Sequence, residues 1–113
     1  MGSKELMQEI SGVLEDKKAL KVESFYVEKK TTLADYYIVC SGTSNTHIKA
    51  LSNEVEEEIE KHGIRAMHKA GYEKARWVLL DYGTVVVHIL HEVERENYDL
   101  ETLFEKGHEE NRI

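Results

Sequence analysis

Apolar residues recur along this chain with two different periods, and each change of period marks an element. Leu6, Ile10, Val13 and Leu14 fall at helical spacing, so residues 4–19 are predicted to form an amphipathic helix with Ser3 as its N-cap. Val22 to Glu28 has the β-branched and aromatic content of a strand, and the polar Lys29-Lys30-Thr31-Thr32 reads as a connection. Tyr36-Tyr37-Ile38-Val39-Cys40 is a short unbroken apolar run, the pattern of a strand covered on both faces. Ser41-Gly42-Thr43-Ser44-Asn45 follows as a turn that ends in good helix-capping residues.

Ile48, Leu51, Val55 and Ile59 are spaced three, four and four, which predicts a second amphipathic helix over 46–62. Five glutamates between Glu54 and Glu60 occupy mainly its other positions, and Gly63 is placed to stop it as the C′ residue. Ile64 to Lys69 alternates like a strand, and Gly71 breaks it. Trp77-Val78-Leu79-Leu80-Asp81 and Val85 to Leu90 are the clearest strands, with Tyr82-Gly83 at the bend between them. After Glu92 the chain turns acidic and helical, with Tyr98, Leu100, Leu103 and Phe104 available to dock it.

This order predicts an α/β fold: a mixed five-stranded sheet with flanking helices. The strand at 36–40, the helix after it and the strand at 64–69 are expected to form a right-handed βαβ unit. The absence of proline suits strands that all need their backbone donors. No repeat or linker interrupts residues 1–113, which read as one domain. Met1-Gly2-Ser3 is compatible with a cloning scar, and 105–113 with an acidic tail.

Composition narrows the class. The 113 residues carry 15 Lys+Arg against 22 Asp+Glu, a formal net charge of -7. Residues 45–62 hold five acids and two bases, residues 91–113 eight acids and three bases, and residues 63–90 two acids and four bases. The acidity therefore lies in one helix and the tail, an arrangement that steers a basic partner better than bare nucleic acid. No apolar run approaches the ~20 residues of a membrane span, and no secretory leader is evident. A single cysteine, Cys40, permits no internal disulfide. A cytoplasmic protein with no cofactor and no membrane partner is expected.

The candidate chemistry is sparse. The Ser41–Ser44 turn joins a buried strand to a helix N-terminus, where backbone N–H groups can hold phosphate. It lacks the glycine fingerprint of a dinucleotide site and the ending of a P-loop, and a plain turn with a helix cap is the better account of it. A nucleotidyltransferase would need two or three carboxylates converging on Mg²⁺; the later strand offers Asp81 alone, and Asp35 lies at the wrong end. His88 and His91 are three apart on a strand and point to opposite faces, so they cannot share an ion. His47, His62, His68 and His108 are scattered, and Cys40 sits in an apolar strand where a thiol stays protonated. The stronger anomaly is apolar: Trp77 and Leu79 share one strand face while Val78 and Leu80 share the other. Three helices cover such a sheet incompletely, so Trp77, bordered by Tyr72 and Tyr98, reads either as a candidate protein anchor or, equally, as core under the C-terminal segment.

DYYIVCSGTSNTHIKALSNEVEEEI, then Gly71-Tyr72, then RWVLLDYGTVVVHILH, then YDLETLF, in order from Asp35 to Phe104, resemble the ribosomal silencing factors, the RsfS or Iojap family. The resemblance implies a nucleotidyltransferase-like α/β domain without that activity. It implies binding to the large ribosomal subunit through its ribosomal protein fourteen, blocking of small-subunit joining, and repression of translation when nutrients are short. Homodimers are also common in the family. Carried over to this chain, Trp77, Leu79 and Asp81 match a W-x-L-x-D strand, and His88, His91, Tyr98, Asp99 and Leu100 match the downstream motif. Thr84 stands where an acid is common, Glu92 where proline is, Phe104 where tryptophan is, and Ala34 where threonine often precedes the aspartate.

Overall fold

In a computed structural model of the chain, which describes residues 1–27 and 34–98, helix α1 (Ser3–Asp16) comes first. Its N-cap is Gly2, in extended backbone, rather than the expected Ser3. Leu6, Ile10 and Leu14 form its buried stripe. The helix ends before the predicted residue 19, because Lys18 adopts a left-handed φ of 66° and turns the chain into β1 (Leu20–Tyr26). β2 (Tyr36–Gly42) leads into α2 (Asn45–Glu60), whose N-cap Ser44 accepts the His47 backbone N–H at 3.0 Å. That side-chain oxygen satisfies one of the donors a helix start leaves open. Gly63 lies beyond the C-cap Lys61, in the closing turn rather than at C′.

β3 (His68–Ala70), β4 (Trp77–Asp81), β5 (Val85–His91) and the one-and-a-half-turn α3 (Glu92–Asn97) complete the described elements. The sheet runs β1-β2-β5-β4-β3, with β2 and β5 parallel and the other neighbours antiparallel. It is the mixed five-stranded sheet expected of the pattern. The partner of β2 differs, however: it is β5, while β3 lies at the far edge. The physical reason is burial. A strand inserted between two others must be apolar on both faces, and β5 is, whereas all three β3 residues are exposed. Ile64 to Met67 stay outside any strand.

Both long helices cover the same side of the sheet. Leu6, Ile10 and Leu14 of α1 and Ile48, Leu51, Val55 and Ile59 of α2 pack with Ile38, Cys40, Val78, Leu80, Val87 and Ile89. Each fully buried aliphatic side chain here contributes roughly 1.5–3 kcal/mol of apolar transfer. The opposite side carries a smaller cluster, Val39 and Leu90 with the half-buried Phe25 and Trp77. α3 crosses to that side: the Arg95 guanidinium donates to the Lys21 carbonyl at 2.6 Å and to Ser41 Oγ at 3.3 Å.

The loop between β3 and β4 is tightly closed. Gly71 has φ +78°, and a Cβ there would stand 2.1 Å from the Trp77 carbonyl oxygen. Gly63 has a similar φ of +77°, yet a Cβ there meets nothing within 4 Å. Gly63→Ala should therefore cost only the left-handed penalty, about 1 kcal/mol. Gly71→Ala should cost about 3 kcal/mol or more, because the backbone of β4 must also move. Urea unfolding of the two variants measures the difference; equal losses would refute the close contact.

Candidate functional site

Register places three rows of side chains across the side of the sheet away from α1 and α2. One runs Glu23, Val39, His88, Leu79, Ala70; the next Phe25, Tyr37, Val86, Asp81, His68; the third joins Ser41, Leu90 and Trp77. Val39, Leu90 and His88 are buried, while Trp77, Leu79, Tyr37, Phe25 and Val86 keep part of their surface open. The charged side chains within these rows are two carboxylates, Glu23 and Asp81. The glutamates of α2 lie on the other side of the sheet, where Glu56 pairs with Lys69.

Four rings form a continuous chain on this face. Tyr37 meets His88 edge-on with centroids 5.8 Å apart, His88 meets Trp77 at 6.1 Å, and Trp77 meets Tyr98 at 5.4 Å. The Trp77 indole N–H donates to His88 Nδ1 at 3.1 Å. An acceptor at Nδ1 requires a neutral imidazole with its proton on Nε2. Burial disfavours the charged ring and pushes its pKa down to about 4. Cys40 lies on the helix side, and burial pushes its thiol up to about 12, so it offers no nucleophile near neutral pH.

The structure brings Trp77, Leu79, Asp81 and His88 onto one face with Tyr98 beside them. Asp81 also has a local task, accepting the Gly83 backbone N–H at 2.7 Å. His91 caps α3: its Nδ1 accepts the Val93 N–H at 3.2 Å. Tyr72 is not brought to this face; its ring lies under Lys69 Nζ at 4.0 Å and Lys49 Nζ at 5.3 Å, on the α2 side. Loop closure through Gly71 puts it there. Asp99, with Leu100, Leu103 and Phe104, lies outside the described residues. Phe25, Tyr37 and Arg95 belong to the face and were not singled out from the sequence. Alternation of Tyr37, Val39 and Ser41 within the apolar run was the available signal for Tyr37.

The Ser41–Ser44 turn is filled by the chain's own side chains. The Thr43 backbone N–H donates to His47 Nδ1 at 3.1 Å, and Ser44 Oγ takes the His47 N–H. Two of the donors a phosphate would use are thus engaged. Among the described residues, no group of three His, Cys, Asp or Glu side chains is gathered as for a metal ion. No helix among them is long and apolar enough to cross a membrane.

Comparison with known proteins gives a consistent picture. Residues 1–113 match the family model described as "Ribosomal silencing factor during starvation". The chain is 38% identical over 104 residues to a ribosomal silencing factor of Halalkalibacterium halodurans, covering 92% of this chain and 89% of that protein. It is 34% identical over 104 residues to one from Bacillus subtilis, covering 92% and 88%. A crystal structure of a Chromobacterium violaceum protein superposes with a TM-score of 0.89 at 35% identity, covering 92% of this chain and 87% of that one.

Two outcomes follow from this geometry. An unfolded chain protonates its imidazole near pH 6.5, whereas folded His88 stays neutral down to about 4. Between those values the unfolded state binds more protons, so the His88 contribution erodes as pH falls through that window, by roughly 3 kcal/mol in all. Urea unfolding at pH 7, 5.5 and 4 should show this loss in the parent protein and a shallower one in His88→Asn; parallel profiles would contradict a buried neutral ring. Calorimetry with ATP or CTP and Mg²⁺ should give no binding heat, and saturable binding would reopen the turn as an anion site.

Proposed function

The chain belongs to the RsfS family of ribosomal silencing factors, and we propose that it represses translation by seating the Trp77 face on the large ribosomal subunit. The contact is a basic protein of that subunit, ribosomal protein fourteen, and the bound domain prevents the small subunit from joining. The observation that carries this reading is the sheet face turned away from α1 and α2, which combines a half-buried aromatic anchor with acidic neighbours. Trp and Tyr dominate interface energetics because large rigid area is buried at low entropic cost. Glu23 and Asp81 lie in its rows, Glu23 with Arg95 at 3.7 Å, and exposed Glu92 and Glu96 line the same recess as Glu23 and Ser41. Carboxylates around an apolar centre favour a basic protein over phosphate backbone.

The mechanism asks for affinity and volume alone, since a second body cannot enter space already filled. No bond is made or broken, and we propose no catalytic role for any residue. Asp81 acts twice in this reading, holding the β4–β5 turn and presenting negative charge at the rim. His91 contributes by starting α3 where its acids border the face. A second copy of the chain is the competing occupant of the same apolar surface.

In gradient sedimentation the protein should travel with isolated large subunits and not with small ones, and adding it should reduce subunit joining. Trp77→Ala should fold and lose at least about tenfold in affinity for large subunits, as for an interface hot spot. Equal association with both subunits, or with neither, would remove the proposal.

A further inference from the structure

We propose that His88 is a positioning residue for the partner-binding indole: its ring nitrogen takes the Trp77 N–H and holds the half-exposed ring in one orientation. The inference rests on the reading of the Trp77 face as the contact surface, and assigns a role to a residue that is itself too buried to touch a partner. His88 is 9% exposed.

The geometry supports a clamp. Trp77 is in register with Leu90 and has Leu79 two residues along its own strand, and neither of these offers an acceptor side chain. His88 lies diagonally across on β5 and supplies the acceptor at 3.1 Å. An indole N–H on a partly covered apolar surface needs such an acceptor, because leaving it without one costs about 1–3 kcal/mol. A ring with two torsions is then fixed at both ends of its range, by the hydrogen bond on one side and by the Tyr98 ring on the other. The imidazole is in turn held edge-on by Tyr37. Preorganising an anchor in this way reduces the ordering cost of association.

The clamp also has to stay in its accepting form. Among the described residues, the register and ring neighbours of the imidazole include Val39 and Tyr37 from β2 and Leu79 and Trp77 from β4. None of these carries charge near neutral pH. Burial alone keeps the ring unprotonated over the physiological range, so the indole orientation does not vary where an exposed histidine would titrate.

Two substitutions separate shape from acceptor. His88→Phe keeps a ring between Tyr37 and Trp77 but offers no acceptor, whereas His88→Asn places an oxygen near the position of Nδ1. In His88→Phe the indole ¹H–¹⁵N signal should move upfield with faster N–H exchange, and affinity for isolated large subunits should fall about tenfold. His88→Asn should recover most of both. In the parent protein the indole signal should titrate with a midpoint of about 4 rather than near 6.5, which tests the hydrogen bond without any substitution. An indole signal unchanged in His88→Phe, or a shifted signal with undiminished affinity, overturns the positioning role. If Trp77→Ala itself keeps full affinity, the contact-surface reading fails instead, whatever the indole signal does.

Discussion

Side chains along a strand alternate between two faces, and in this protein both long helices pack on the same one. Everything else about the fold answers to that asymmetry. The helix side closes completely over Ile38, Val78, Leu80, Val87 and Ile89. The central strands β2 and β5 are nevertheless apolar on their other side too, as parallel neighbours in a sheet interior are. Only α3, one and a half turns long, crosses to that side among the described elements, and it is tied there by Arg95 on the Lys21 carbonyl and Ser41. Among the described residues, Phe25, Tyr37, Trp77, Leu79 and Val86 keep part of that surface open, the kind of apolar surface that marks a contact site.

The same asymmetry bears on the two places where the sequence suggested chemistry. The strand-to-helix turn where a phosphate could sit is closed by His47 and Ser44. The single carboxylate of β4, Asp81, is spent on the Gly83 turn. What remains is a sheet face with a chain of rings and a hydrogen-bonded indole, flanked by carboxylates. Such a surface suits the binding role proposed for it.

Much of this was legible in the residues. The two amphipathic helices were visible because their apolar spacing has no competing reading, and β4 and β5 because their β-branched runs are long and bounded by a glycine bend. The division of Trp77 and Leu79 from Val78 and Leu80 followed from alternation alone. The partner of β2 was not legible, since strand neighbours are decided by which segment can be buried on both faces, a competition between distant parts of the chain. Tyr72 illustrates a related limit: it adjoins the Trp77 strand in sequence, but Gly71 turns its ring onto Lys69 and Lys49. His91 and Asp81 stood out as matches to family motifs, while their side chains also serve a helix cap and a turn. An unbroken apolar run concealed Tyr37, because alternation is hard to see when both faces are apolar.

The net charge of -7 acquires a location in the same way. Sequence placed much of the acidity in one helix and the C-terminal segment, but α2 turns its glutamates away from the Trp77 face, and among the described residues it is Glu23, Asp81, Glu92 and Glu96 that lie on or beside it. By itself, then, the sequence determined the elements, the alternation within each strand and the membership of a family, because these depend on local periodicity and residue identity. Tertiary structure alone decided which strands are neighbours, which carboxylates share a face with the indole, and that a buried imidazole accepts its N–H. Those outcomes depend on residues far apart in the chain being brought within a few ångströms, at a burial that no local pattern specifies.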